Sequence, residues 1–170
     1  GRQYNKLSNY WKEDKFDASM AKYYQLIYGI DIAVGMILDE LEKQEIADNT
    51  IVIYTTDNGY STGAHGFGGK VLPYEEASRG PLLIYAPGTK SEGKKWRSKA
   101  LVGNIDMAPT ILDAAGLKIP KHMDGKSLLK IMNKKNVIVK DHQAIIQTWG
   151  ENQTHSLSIV SDNYKYLYWF

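Results

Sequence analysis

Apolar residues recur every three to four positions at Tyr23, Ile27, Ile30, Val34, Ile37, Leu38 and Leu41. That period lays one stripe on a helix and predicts it from about Asp17 to Glu45, capped by Asp17 or Ser19. "ADNT" (47–50) ends the helix, and "IVIYTT" (51–56) follows as an unbroken apolar and β-branched run. A run without polar alternation suits a strand covered on both faces, which implies a parallel sheet. "GPLLIYAPG" (80–88) repeats the pattern of a short buried strand closed by Pro-Gly. "DMAPTILDAAG" (106–116) then predicts a helix with Asp106 near its start and Gly116 as its stop. Strand and helix alternate, so the chain is expected to be of the α/β class.

Past Gly125 the pattern shortens. "KSLLKIMNKK" (126–135) predicts a small helix, followed by the strand-like runs "HQAIIQTW", "THSLSIV" and "YKYLYWF". "SDN" separates the last two, which are expected to form a hairpin and to make the tail antiparallel. The organisation expected is therefore a main unit over 1–135 and antiparallel strands over 136–170, belonging to the same domain or forming a small subdomain. The stop at Phe170, inside an aromatic strand, suggests a chain cut short.

Composition removes function classes more than it adds them. The 170 residues are 43% hydrophobic and 24% charged, with twelve tyrosines and a net charge of +2. This is an ordinary globular mixture of about one domain's length. Lysines are scattered apart from Lys94-Lys95 and Lys134-Lys135, so neither a nucleic-acid partner nor a membrane patch is expected. No window approaches the roughly 18 apolar residues of a spanning helix, and the first residues lack a signal-peptide core. There is no cysteine, which excludes a disulfide framework, a thiolate zinc site and a cysteine nucleophile within these residues.

Candidate chemistry gathers in "TTDNGYSTGAHGFGGK" (55–70). Asp57 and Asn58 directly follow the first strand, and ligands of open α/β sheets collect outside strand carboxyl ends. Successive side chains reach one ligand only where the strand has ended, and Gly59 supplies that turn. A carboxylate with an amide oxygen suits a hard cation. Asp-Asn-Gly is equally ordinary turn vocabulary, and on spacing alone the turn reading weighs more. His65 sits among glycines that either admit a ligand or merely loosen the loop. Lys70 either meets an anionic ester or faces water. In "YEEASR" (74–79), Glu75 or Glu76 is placed to pair with Arg79 on a helix surface.

The ordered set of elements resembles the C-terminal half of the catalytic domain of the sulfatase family, in the alkaline phosphatase superfamily. The resemblance runs from "YYQLIYGIDIAVGMILDELEKQEIADNTIVIYTTDNG" through "GAHGFGGKVLPYEEASRGPLLIYAPG" to "LVGNIDMAPTILDAAGLKIPKHMDGKSLL", and "NYKYLYWF" is similar to the family's terminal strand. It implies part of an alkaline phosphatase-like, mostly parallel mixed sheet flanked by helices, with 1–135 as the C-terminal half of that domain. It implies that Asp57 and Asn58 ligate an active-site divalent cation, calcium or alternatively magnesium. Lys70 matches the family's sulfate-contacting lysine, and His65 the histidine of its Gly-x-His-Gly loop.

The departures are equally specific. The family's formylglycine nucleophile arises from an upstream Cys-x-Pro-x-Arg or related serine motif, and neither stands here. Two further metal-binding aspartates and an upstream histidine and lysine also lack counterparts. The expectation is a fragment of a sulfuric ester hydrolase, inactive alone, whose formylglycine lies in a preceding part. Two alternatives stay open: a phosphate or phosphonate ester hydrolase or phosphoethanolamine transferase of the superfamily, and a non-catalytic relative that binds anionic glycans. Two-metal relatives carry histidine after the aspartate, so Asn58 favours the sulfatase branch. The resemblance further implies a sulfated small molecule or glycan as substrate and a periplasmic, secreted or lysosomal location. Trp149, His155 and "SEGKKWRSK" (91–99) are candidate rim contacts, with core packing or solvation as their ordinary explanation. Asn152-Gln153-Thr154 has the form of a glycosylation sequon.

Overall fold

The computed structural model describes residues 11–70, 72–94, 96–134, 137–140, 142–148 and 155–169. The chain divides into two compact units, Gly1–Ile84 and Tyr85–Phe170.

In the first unit a 3-10 turn at Glu13–Lys15 leads into helix α1, Phe16–Lys43. The expected cap is corrected: Lys15 stands at the N-cap without a side-chain bond, and Asp17 lies inside the first turn. Its carboxylate there complements the positive end of the helix dipole. The turn preceding the helix supplies the entry geometry a capping side chain would otherwise set. Strand β1, Val52–Thr55, pairs with β2, Leu82–Tyr85, in a two-stranded sheet. Between them lies the short helix α2, Glu75–Ser78.

The expectation that β1 is covered on both faces is not met within the described residues, and the α1 stripe is largely exposed. α1 has no buried residue: Leu26 is 70% exposed and Ile30 44%, while Tyr23, Val34 and Leu41 are half-buried. β1 is half-buried up to Thr55, which is exposed. A two-stranded sheet has too little area to cover a 28-residue helix with apolar side chains on most of its circumference. Buried positions among the described residues of this unit include Ala77, Pro73 and Ser61.

In the second unit, a 3-10 turn at Asn104–Asp106 opens helix α3, Met107–Ala114. Gly116, at φ +69°, stops it as expected. Gly116 N donates to Asp113 O and Leu117 N to Leu112 O, the pair of bonds that closes a helix through a left-handed residue. Helix α4, Leu129–Asn133, packs on α3. Thr110, Pro109 and Leu128 are buried between them, and Leu128 N donates to Thr110 Oγ1 at 2.9 Å. Asp106 is wholly buried beneath this pair of helices. It accepts from Gly103 N and Lys126 N, both at 2.8 Å, and from Lys140 Nζ at 2.8 Å.

Strands β3 (His142–Thr148), β4 (His155–Ser161) and β5 (Lys165–Trp169) form an antiparallel meander in that order, with the expected hairpin between the last two. Leu157 faces Tyr168 and Ile159 faces Tyr166 across the β4–β5 ladder. Along β4 the small polar Ser156 and Ser158 point inward, and Leu157 and Ile159 are exposed.

Candidate active site

The chain leaves β1 at Thr55 and turns at once. The Thr56 hydroxyl donates to the Asn58 carbonyl at 3.0 Å, which folds the backbone so that Asp57 and Asn58 are no longer on opposite faces of a strand. Asn58 Nδ2 donates to the Gly59 carbonyl at 2.7 Å, leaving Oδ1 as the outward atom. Gly59 is required by crowding. Its N–H donates to Ala77 O at 2.9 Å, and a Cβ there would collide with the Glu76 carbonyl and lie 2.9 Å from that of Arg79. The strand end is thereby fixed against α2.

A glycine-rich loop then carries the chain out and back. Ser61 N donates to Gly69 O at 2.7 Å, Gly63 N to Phe67 O at 2.8 Å, and the Tyr60 hydroxyl to Gly68 O at 3.2 Å. Tyr60 also lies against Trp11 and Tyr23, anchoring the loop to the start of α1. Closing the loop returns Lys70 to the strand end. Its ammonium donates to Asn58 Oδ1 at 3.0 Å and lies 3.9 Å from Asp57 Oδ2. Two oxygen donors thus converge on one positive charge. The Asp57 side chain is 79% exposed, so this pair contributes only about 0–1 kcal/mol to stability. Its significance lies in the convergence.

His65 is held differently. It sits in the turn Ala64–Gly66 with a left-handed backbone, φ +56°. Nε2 is 3.2 Å from Glu76 Oε2, and the ring stacks on Tyr74 with centroids 4.3 Å apart at 15°. No hydrogen bond or ion pair among the described residues joins His65 to Asp57, Asn58 or Lys70. The structure therefore brings three of the four predicted site residues together and gives the fourth its own partners. Of the two glutamates, Glu75 pairs with Arg79 at 3.3 Å, as the i,i+4 spacing allows, whereas Glu76 turns to His65. Sequence reasoning missed the roles of Thr56, Tyr60 and Glu76. For Thr56 the proximity to Asp-Asn-Gly was a usable signal, since such hydroxyls bond backbone two residues on.

Asp57 and Asn58 fit a hard divalent cation as a partial ligand set, because a carboxylate and an amide oxygen already share one cationic neighbour. Among the described residues no three His, Cys, Asp or Glu side chains cluster as a complete site. His155 begins β4 and is half-buried; it and the described part of 91–99 belong to the second unit. Trp149 and the sequon Asn152-Gln153-Thr154 lie outside the described residues.

The architecture is that of an alkaline phosphatase-like α/β domain. A solved structure bound to its substrate D-glucosamine-2-N,6-O-disulfate superposes with TM-score 0.82 at 30% identity, over 90% of this chain and 32% of that one. The Sulfatase family profile matches residues 2–117. The extracellular sulfatase SULF-1 homolog of Drosophila melanogaster is 36% identical over 139 residues, which is 79% of this chain and 12% of that protein. The N-acetylglucosamine-6-O-sulfatase of Bacteroides thetaiotaomicron is 38% identical over 118 residues, 69% of this chain and 21% of that protein. The chain belongs to the sulfatase family. It spans about a fifth or less of the length of these two relatives.

Proposed function

We propose that the chain is part of a sulfuric ester hydrolase and supplies half of its cation site and one of its sulfate contacts. The observation that carries this reading is the convergence of Asp57 Oδ2 and Asn58 Oδ1 on the Lys70 ammonium at the end of β1. Asp57 and Asn58 would hold calcium, or magnesium in its place. When bound, that cation supplies positive charge to screen sulfate oxygens. Calcium takes six to eight oxygens, so these two donors are a minority of its shell.

Lys70 contributes by electrostatics. Its ammonium is tethered at 3.0 Å to a neutral amide oxygen, a hold that it can exchange for a sulfate oxygen at little cost. A preorganised cation at that point offsets the negative charge that accumulates on the ester and leaving-group oxygens. His65 offers a second polar contact from the same loop. No residue here supplies the nucleophile, which in this reading is the formylglycine of a preceding segment. The open apolar surfaces of α1 and of the β4–β5 face suit a chain whose remaining domain covers them. Residues 1–135 then form the C-terminal half of the catalytic domain and 136–170 its antiparallel strands.

For the substrate we infer a sulfated glucosamine-type glycan, because a relative and a superposed structure are named for such esters. An extracytoplasmic location is inferred from the extracellular relative, and no helix among the described residues is long and apolar enough to cross a membrane. The test is turnover by the intact protein of glucosamine 6-sulfate beside the matching phosphate ester, with and without a chelator. Chelator-sensitive sulfate release is expected. Preference for the phosphate ester would assign the site to the phosphoester branch instead.

A further inference from the structure

His65 occupies a backbone conformation that a non-glycine residue adopts at a cost, so something must keep it there. Two contacts do. The Glu76 carboxylate takes Nε2, and Tyr74 lies flat against the ring, itself flanked by Phe67 at 6.0 Å. Nδ1 has no hydrogen-bond partner among the described residues, and the side chain is 47% exposed. One edge of the imidazole is thus held and the other is open. The helical turn that carries Glu76 also receives the Gly59 N–H, so the element that fixes Asn58's neighbour also fixes His65.

We propose that Glu76 is a positioning residue, which together with the Tyr74 ring holds His65 so that Nδ1 is presented to the sulfated substrate. This rests on the reading above of His65 as a polar contact for the substrate. A carboxylate accepts only, so a neutral ring bonded to it carries its proton on Nε2 and presents a lone pair at Nδ1. That edge then accepts from a hydroxyl of the substrate. Without Glu76 the ring keeps its stack on Tyr74 and is free to turn over.

The test has one arm independent of activity. Long-range nitrogen-proton NMR of the intact protein at about pH 8.5, above the ordinary histidine range, should show His65 as the Nε2–H tautomer. Glu76→Ala should mix the tautomers and Glu76→Gln, which keeps an acceptor oxygen, should preserve the native one. An Nδ1–H tautomer in the native chain, or no change in Glu76→Ala, overturns the proposal.

The second arm is kinetic, in the intact enzyme. Glu76→Ala should lower kcat/KM about 10- to 100-fold, the range seen when the supporting partner of a functional histidine is removed. In the His65→Ala background the same substitution should have no further effect, because Glu76 acts through His65. Glu76→Gln should recover most of the loss. Equal losses with and without His65 refute the positioning role. If His65→Ala alone is silent while Lys70→Ala is not, the assignment of His65 fails and the sulfatase reading stands.

Discussion

Removing the charge of Lys140 tests how the second unit is locked. Asp106 has no exposure, and Lys140, 16% exposed, provides its opposite charge at 2.8 Å. In Lys140→Met the aliphatic stem is replaced by a side chain of similar volume, while Asp106 keeps its backbone donors at Gly103 and Lys126 and loses its cation. Breaking a buried pair this way costs about 3–5 kcal/mol. In a chain of this size each kcal/mol moves Tm by about 2–4 °C, so Tm should fall by roughly 6–20 °C in calorimetry. Asp106→Asn should cost less, about 1–3 kcal/mol, since the amide nitrogen leaves one backbone N–H without an acceptor. The decisive comparison is the double variant Asp106→Asn, Lys140→Met. It removes the stranded carboxylate and should melt above Lys140→Met alone. A fall under about 2 °C for Lys140→Met, or strictly additive losses in the double variant, would refute the claim that the two groups act as a buried pair.

In the intact enzyme, Lys70→Ala should lower kcat about a hundred- to a thousandfold, as removal of one preorganised donor does, with Tm unchanged because the side chain is 45% exposed. Steady-state turnover of glucosamine 6-sulfate checks it, and near-normal kcat would return Lys70 to the solvent. Asp57→Ala should weaken calcium binding by calorimetry, with activity partly restored by excess calcium, which should not rescue Lys70→Ala. Gly59→Ala should lower Tm, at a cost of about 1–3 kcal/mol, because the new Cβ meets the Glu76 carbonyl. An unchanged melt would mean that α2 yields freely.

The three-to-four period of Ile27, Ile30, Val34 and Leu41 was enough to place α1, since helical geometry is set by near neighbours and the observed span differs from the expected one by two residues or fewer. Gly116 likewise announced its stop, because a left-handed residue is a local requirement that glycine meets. The β4–β5 hairpin was legible from two strand-like runs around Ser-Asp-Asn. The adjacency of Asp57 and Asn58 after an apolar run also stood in the sequence, as did their resemblance to a cation site. Which partners those residues take was decided only by tertiary structure. Lys70 reaches Asn58 across twelve residues because a loop with left-handed turns at Gly63 and Gly66 closes on itself. Glu76, and not Glu75, meets His65 because α2 is one short turn whose successive side chains diverge by about 100°. Asp106 and Lys140 meet across thirty-four residues, a distance at which no local propensity acts. Hydropathy states which side chains want cover, as on α1, but chain closure and packing decide what covers them, and that information resides in the fold.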